Sequence, residues 1–278
     1  MIDLHTHTSA SDGILTPTEL VARAGKLGVS ILSVTDHDTI SGLKEAMTAA
    51  RGYGMEFIPG VELNTDVNRD EIHILGYFID PEDESFCATL KELGLEREKR
   101  CLRMLDKLEE FNVSPGIERV RVFSKGESIG RPHIARAMLE MGIVSNFEEV
   151  FAKYIGSNAP CYVPRKKIKP KEAVKLILSA GGIPVLAHPG LMKDFDGKFP
   201  LLLSAGLMGI EAYYPRHSHL QIDYFVRVAK KHNLLVTAGT DYHGSRGGHS
   251  VYPGYPGVPK DVIKEIKRLV TIRRKDRG

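Results

Sequence analysis

The apolar positions of the first eighty residues follow two alternating periods. In PTELVARAGKLG, apolar residues recur at helical spacing between Pro17 and Gly28, which predicts a helix with Pro in its first turn and Gly at its end. The segments VSILSVTDHD, MEFIPGVELN and EIHILGYFI are short apolar runs that predict buried strands. Strands that alternate with helices predict an α/β fold with a mainly parallel sheet or barrel.

This alternation stops at about Glu84 and resumes after Cys161. In between, leucines recur at spacings of three and four residues, and GRPHIARAMLEMG and NFEEVFAKYIG are helical patterns that end in Gly. The alternation then continues through KPKEAVKLILSAGG, IPVLAHP, MGIEAYY and LLVTAGTDYH. We therefore expect an all-helical insert at residues 84–161, which we call the helical insert. It would interrupt an α/β barrel formed by residues 1–83 and 162–278.

The amino-acid composition argues against some classes of function. The chain has 278 residues, no Trp and 7% aromatic residues, which argues against an aromatic platform for stacking bases. A formal charge of +3 is too small to indicate binding of duplex DNA, but it is compatible with an anionic small substrate. The three scattered cysteines, and the lack of a signal peptide or a membrane-length apolar run, lead us to expect a cytoplasmic protein that does not bind membranes.

The N-terminal segment MIDLHTHTSASDG places two histidines two residues apart. Side chains at i and i+2 of a strand lie on the same side, roughly 6.6 Å apart at about 3.3 Å per residue, so His5 and His7 could bind one metal ion. A pair of polar residues at a strand end is the plainer interpretation of these two residues alone.

Further imidazoles and carboxylates lie at or near the ends of other predicted strands, and His73 lies inside the predicted strand EIHILGYFI. The set comprises His5, His7, Asp12, Asp36, His37, Asp38, Glu62, His73, His188, Asp241 and His243. Strand ends in a parallel sheet or barrel meet at one rim, so we expect a metal cluster there. Nitrogen and oxygen ligands without cysteine suit Zn²⁺, Mn²⁺ or Fe²⁺. The ligands exceed the needs of one ion, and Glu62 is the obvious bridge between two.

The motifs DLHTHTSASDG, TDHDT, GVELN, LAHPG and GTDYHG together resemble the PHP (polymerase and histidinol phosphatase) phosphoesterase family. The helical insert resembles the branch that acts on 3′,5′-bisphosphorylated nucleotides and trims short RNA from its 5′ end. This resemblance implies a distorted seven-stranded β/α barrel with a trinuclear metal centre. It assigns the first metal to His5, His7, Glu62 and Asp241, the second to Glu62, His73 and His188, and the third to Asp12, His37 and His243. Asp36 and Asp38 would support these ligands from behind.

The predicted reaction is hydrolysis of a phosphate ester by metal-bound hydroxide, with no phosphorylated enzyme intermediate. Divalent ions neutralise the ester and lower the pKa of a bound water. Arg131 precedes Pro132 at a predicted helix start, where an anion is favoured, and Arg165 lies in the basic stretch YVPRKKIKPKE. Arg216 and His217 in YYPRHS are candidates for phosphate contact and for protonating the leaving group; a simple turn is the alternative.

Three other functions stay open at this point. A histidinol-phosphate phosphatase would share the metal cluster but needs no basic insert. A non-catalytic PHP module that serves a DNA polymerase would not need a complete ligand set. A metal-dependent C–N hydrolase on a similar barrel commonly uses a carbamylated lysine as its bridge, and no lysine follows a predicted strand here.

Overall fold

In the part of the chain that the structure describes, seven strands form one sheet in chain order, β1 to β7. The computed structural model describes residues 1–67, 70–124, 128–165, 167–244, 252–254 and 258–275. The strands are β1 (Ile2–Asp3), β2 (Ile31–Val34), β3 (Glu56–Val67), β4 (Asp70–Tyr77), β5 (Ile183–Leu186), β6 (Gly209–Tyr213) and β7 (Leu235–Ala238). The α-helices described are α1 (Pro17–Lys26), α2 (Leu43–Gly52), α3 (Glu84–Glu109), α4 (Ile117–Phe123), α5 (Arg131–Glu140), α6 (Phe147–Val150), α7 (Pro170–Ser179), α8 (Phe195–Ala205), α9 (His219–Lys231) and α10 (Lys260–Lys275).

The sheet is mixed, because β4 runs antiparallel to both of its neighbours. All other neighbouring strands pair in parallel, so the expected mainly parallel sheet is confirmed. The expectation that Glu62 follows a strand is wrong. Glu62 lies inside β3, opposite Leu75, because the antiparallel partner β4 extends the ladder as far as Val67. His73 lies on β4 opposite Asn64, as its position inside a strand pattern predicts.

The sheet nearly closes into a barrel between β1 and the segment after β7. The amide of Leu4 donates to the carbonyl of Ala238 at 3.0 Å, and that of His7 donates to Tyr242 at 2.9 Å. A parallel bridge also joins Thr6 to Tyr242. The predicted distorted β/α barrel of seven strands is therefore confirmed. The closure brings the C-terminal ends of β1 and β7 next to each other, together with the ionisable residues that follow them.

Local sequence explains why the first helix begins at Pro17. Thr16 caps α1 by accepting the amide of Glu19, and the Glu19 carboxylate accepts the amide of Thr16 in return. This reciprocal pair satisfies two amides that have no partner within the helix. The buried face of α1 carries Leu20 and Val21, as its spacing predicts, and packs on the outside of the barrel.

The chain between β4 and α7 is helical and has its own apolar cluster. Met104, Leu108, Ile134 and Met138 belong to this cluster, which extends from Cys101 to Val163. The first three turns of α3 pack instead with the apolar layer between the sheet and its outer helices. The division into barrel and insert remains a prediction, but the expected helical character of the insert is present in the structure.

The described helices carry no apolar stretch long enough to span a bilayer.

Candidate metal centre

The nine side chains predicted as metal ligands come together at one end of the barrel. Three groups have ligand atoms within 4.8 Å of one another. The first group is His5, His7, Glu62 and Asp241; the second group is Glu62, His73 and His188; the third group is His7, Asp12, His37 and His243. These groups match the sets implied by the family resemblance, with His7 additionally close to the third. Their function as metal ligands remains a prediction.

Glu62 lies at the centre of the cluster and is completely buried. Its Oε1 atom is 2.8 Å from His73 Nδ1 and 3.3 Å from His188 Nε2. Its Oε2 atom faces three further imidazoles, at His5 Nε2 (3.3 Å), His7 Nε2 (3.2 Å) and His37 Nδ1 (2.9 Å). One carboxylate oxygen thus faces the second group, and the other faces residues of the first and third groups, which is the geometry of a bridge.

Two aspartates complete the outer sides of the cluster. Asp241 Oδ1 is 3.1 Å from His7 Nε2 and 3.4 Å from His5 Nε2. Asp12 Oδ1 is 3.1 Å from His243 Nε2 and 4.0 Å from His37 Nε2. The Oδ1 atom of each aspartate therefore faces imidazole nitrogens of the ligand groups.

The electrostatics of the cluster favour a cation. Burial alone would raise the pKa of Glu62, but the neighbouring imidazoles, with His37 foremost, hold that pKa well below its usual range. Burial alone would lower the pKa of His7, but Asp241 and Glu62 raise it to about 10. Buried carboxylates that stay ionised require compensating positive charge, which either protons or metal ions can supply.

The donor atoms fit divalent metal ions. Within the described residues, several buried side-chain atoms lie close to one another but make no well-aligned hydrogen bond, namely His5 Nε2, both ring nitrogens of His7, Glu62 Oε2 and His73 Nε2. Buried polar atoms are nearly always paired, so a group of such atoms facing one space indicates a ligand. The cluster contains imidazole and carboxylate without thiolate, a donor set that suits Zn²⁺, Mn²⁺ or Fe²⁺.

The backbone is strained where it delivers these side chains. Asp38, His188 and Asp241 have φ values of 53°, 26° and 54°, in the left-handed region that non-glycine residues rarely adopt. Such conformations persist where surrounding contacts enforce them, and they concentrate at functional sites. Two of the three residues belong to the ligand groups, and Asp38 directly follows a third ligand, His37.

Asp36 and Asp38, which the sequence analysis places behind the ligands, form hydrogen bonds with the segments that carry the ligands. Asp36 accepts hydrogen bonds from the Thr8 amide (2.8 Å), the Thr8 hydroxyl (2.6 Å) and the Ser11 hydroxyl (2.5 Å), and so fixes the loop that carries Asp12. Asp38 accepts the amide of Asn64 at 2.9 Å. The side-chain amide of Asn64 lies 2.9 Å from His37 Nδ1.

The predicted substrate residue Arg165 lies next to this support. Its guanidinium donates to Asp38 Oδ2 at 2.9 Å, and Arg97 donates to the same oxygen at 2.6 and 2.8 Å. Two guanidinium groups therefore share one carboxylate, which leaves a net positive charge beside the metal cluster. Arg97 was not predicted, because it lies in the charged helical stretch EREKR, where sequence alone does not show which residue faces inward.

Arg131 occupies the first position of α5, as its place before Pro132 predicts. Its guanidinium lies over the rings of Phe151 and Tyr162, 5.6 and 5.7 Å from their centroids. Burial alone would raise the pKa of Glu71, but Lys167 and, to a smaller extent, Arg131 help to lower it to about 2. Arg131 therefore contributes positive charge near β4, the strand that carries His73.

The two remaining candidates lie after β6. Arg216 is exposed in a turn. His217 is buried, with Nδ1 2.9 Å from the Ala212 carbonyl and Nε2 accepting the Gly190 amide at 3.1 Å. Both ring nitrogens of His217 are thus used by the backbone, and transfer of a proton to a leaving group would require one of these bonds to break. The predicted catalytic role of His217 remains untested, and its contacts favour a role in holding the loop after His188.

Glu211 was missed by the sequence interpretation. It is a completely buried carboxylate on β6, 3.0 Å from His5 Nδ1. The signal that could have revealed it is the charged residue inside the apolar stretch MGIEAYY, because an unpaired Glu is almost never fully buried.

Comparison with known proteins places this site in a family. The sequence model of the PHP domain matches residues 3–152, and the chain is 35% identical to a 3′,5′-nucleoside bisphosphate phosphatase from Chromobacterium violaceum over 97% of both chains. The chain belongs to the PHP domain family.

Two further relatives cover most of the chain. It is 36% identical to a 5′-3′ exoribonuclease from Haemophilus influenzae, over 87% of this chain and 89% of the relative. A solved structure from Bifidobacterium adolescentis, assigned as a metal-dependent phosphoesterase, superimposes with a TM-score of 0.86 at 30% identity, over 95% of this chain and 94% of that one. Together with the buried ligand groups, these relatives identify the chain as an enzyme, a metal-dependent phosphoesterase.

Proposed function

We propose that this PHP protein hydrolyses phosphate esters of nucleotides, with 3′,5′-bisphosphonucleotides such as adenosine 3′,5′-bisphosphate, or short RNA attacked from its 5′ end, as substrates. The observation that carries the proposal is the arrangement of arginines directly beside the candidate metal centre. The named activities of two relatives, a 3′,5′-nucleoside bisphosphate phosphatase and a 5′-3′ exoribonuclease, support the same substrate class.

Three divalent ions, drawn from Mn²⁺, Fe²⁺ and Zn²⁺, would be held by the three ligand groups. When bound, such ions neutralise the charge of a phosphate ester and activate water as the nucleophile. Glu62 would contribute to two of the sites, since its two oxygens face different groups. Its full negative charge would then offset the repulsion between the two ions.

The arginines would hold a second phosphate. Arg165 is buried and shares Asp38 with Arg97, so the two guanidinium groups are only half neutralised. The Nε atom of Arg165 is buried and makes no hydrogen bond within the described residues. A phosphate oxygen would supply the missing acceptor, and guanidinium groups match phosphate geometry well.

Helix α5 would place a further positive charge opposite the barrel. Arg131 lies at its start, where backbone amides and the helix dipole also favour an anion. Farther along α5, Arg136 donates to the carbonyl of Asp12 at 2.9 Å. The same helix therefore carries a candidate phosphate contact and a contact to the loop of the third group, so a substrate bound by Arg131 would lie close to the metal centre.

A substrate panel tests this proposal. We expect protein loaded with Mn²⁺ to release phosphate from adenosine 3′,5′-bisphosphate about ten- to a hundredfold faster, in kcat/KM, than from 3′-AMP. That factor corresponds to one charged hydrogen bond of about 1.5–3 kcal/mol. A short 5′-phosphorylated RNA should also be cleaved, whereas histidinol phosphate should be a poor substrate. A preference for histidinol phosphate would support the phosphatase alternative, and lack of activity on every ester would support a non-catalytic module.

A further inference from the structure

Glu211 lies behind the candidate metal centre, on the side opposite the bridging carboxylate Glu62. It projects from β6 and has no exposed surface. Its carboxylate contacts His5 Nδ1 at 3.0 Å through Oε1 and at 3.3 Å through Oε2. Oε2 also accepts the backbone amide of His188 at 2.8 Å. A single carboxylate thus contacts one residue of the first group and one of the second.

The contact with His5 determines which ring nitrogen can bind a metal. When Nδ1 carries the proton and donates it to Glu211, Nε2 keeps its lone pair. That nitrogen faces Glu62 Oε2 at 3.3 Å and Asp241 Oδ1 at 3.4 Å. A carboxylate behind a ligating imidazole orients the ring and makes its free nitrogen a stronger ligand.

The contact with His188 acts on the backbone. His188 has φ 26° and ψ 58°, a conformation that is costly for a non-glycine residue. The hydrogen bond from its amide to Glu211 helps to hold this conformation, which directs the ring so that Nε2 lies 3.3 Å from Glu62 Oε1. The rings of His5 and His188 consequently stack, with centroids 5.6 Å apart.

The chain leaves space for this arrangement at Gly239. A Cβ atom at that position would lie 2.5 Å from Glu211 Oε1 and 2.3 Å from the Cβ of His5. Real Cβ atoms do not approach other atoms so closely, so any larger residue would displace one of the two side chains. Glycine at position 239 therefore provides the space that the buried carboxylate of Glu211 and the side chain of His5 occupy.

We propose that Glu211 is a positioning residue that fixes His5 and His188 relative to each other, and thereby sets the spacing and affinity of two of the three metal ions. This inference rests on the proposed function. The third group depends on a different support, since Asp36 holds the loop that carries Asp12. The first two sites should respond to a change at Glu211 while the third does not.

Zinc binding to Glu211→Gln tests the proposal. The amide of Gln is neutral and has a single oxygen, so its NH₂ group would take the place of one carboxylate oxygen and face either the His5 Nδ1 proton or the His188 amide, both of which are donors. In chelator-buffered Zn²⁺, the wild type should hold three ions per chain. The variant should hold one ion at the same free Zn²⁺, with affinity for the other two reduced about 10- to 100-fold.

Asp36→Asn is the matched control, because it also replaces a buried supporting carboxylate. It should show the opposite pattern, in which one ion is lost and two are retained. Unchanged zinc binding in Glu211→Gln would overturn the proposal. Equal weakening of all three sites would also overturn it, because that result would assign Glu211 a role in the fold as a whole.

A second measurement on the wild type holds even where Glu211→Gln does not fold. Nitrogen-15 NMR of the zinc-loaded protein should show His5 protonated at Nδ1, and a proton at Nε2 instead would overturn the proposal. Wild-type protein that binds no zinc would overturn the proposed function, and this inference with it. Normal loading of the wild type together with an unaffected variant would overturn only the role of Glu211.

Discussion

At the scale of single residues, Glu62 has the most demanding environment in the site. Five imidazole nitrogens lie within 3.3 Å of its two carboxylate oxygens, and the side chain has no access to solvent. The imidazoles keep its pKa well below the usual range, so the carboxylate is charged at neutral pH. A neutral amide of the same shape would occupy the space without supplying the charge.

We therefore expect Glu62→Gln to lose two metal ions and nearly all activity. Loss of a supporting residue outside the ligand set typically reduces metal affinity about 10- to 100-fold. Loss of the bridging ligand itself should therefore reduce kcat/KM by at least about 100-fold. His73→Ala, which removes a ligand of the second group only, should lose less. Elemental analysis and phosphate release on the same preparations measure both effects.

His232→Ala serves as the control for this prediction. His232 is exposed at the end of α9, and its ring lies beside Phe199 rather than beside the candidate metal ligands. This variant should match the wild type in metal content and rate. Equal activity of the Glu62 and His232 variants would refute the bridging assignment.

The residues that sequence could predict stand in short motifs, most of them directly after strands. His5 and His7, or Asp241 and His243, are two residues apart, so their joint function can be seen locally. Glu211 and its partner His5 are separated by 206 positions, and neither the spacing nor the residue type of Glu211 predicts that contact. Arg97 and Asp38 are likewise 59 positions apart and meet only through the packing of α3.

At the scale of elements, periodicity predicted which segments are strands and helices but not their direction. The apolar pattern of β4 is the same whichever way the strand runs. A usable signal was the connection, because β3 ends at Val67 and β4 begins at Asp70. Two residues can join antiparallel strands, whereas parallel strands need a crossover of a dozen or more residues.

The junction of β1 and β7 depends on Asp3, which joins segments from both ends of the chain. Its carboxylate accepts the Thr240 amide (2.9 Å), the Thr240 hydroxyl (2.6 Å) and the Gly254 amide (2.8 Å). Burial raises the pKa of Asp3 to about 6, although these hydrogen bonds oppose the shift. The folded protein therefore holds this proton at pH values where the unfolded chain has lost it.

This raised pKa predicts stability that declines as pH rises. Between pH about 4 and 6 the native state binds more protons than the unfolded state at Asp3, so the free energy of unfolding falls with pH. A shift of about two units corresponds to about 3 kcal/mol across this window. Asp3→Asn cannot titrate and should lack this component. Urea unfolding with chelator present gives the two slopes, and identical slopes would contradict the assignment.

At the scale of the whole molecule, the candidate substrate site lies where the helical insert meets the barrel. Asp38 of the barrel binds Arg97 of α3, and Arg136 of α5 contacts the loop of Asp12. Arg131, at the start of α5, is the residue of the insert that was predicted to contact substrate. The ion pairs of Asp38 are with Arg97 and Arg165 and leave the Arg131 guanidinium for another anion. A nucleotide with two phosphates would have one at the metal ligands and the other among the arginines.

Arg131→Ala should therefore change selectivity more than turnover. A substrate with one phosphate, 3′-AMP, makes no use of the second site, so its kcat/KM should stay nearly unchanged. For adenosine 3′,5′-bisphosphate, loss of a charged hydrogen bond of about 1.5–3 kcal/mol should reduce kcat/KM about ten- to a hundredfold. Steady-state kinetics on both substrates, with the same metal loading, measure the ratio.

Arg119→Ala is a matched control, because Arg119 also belongs to the helical insert. Its side chain is about half exposed and forms an ion pair with Glu140. An exposed pair of this kind contributes little, so this variant should keep the wild-type ratio. If Arg131→Ala slows both substrates equally, Arg131 supports the metal centre or the fold rather than the second phosphate. If the wild type itself favours 3′-AMP, the chain does not bind a second phosphate, and the contact of Arg97 with Asp38 serves only to join the insert to the barrel.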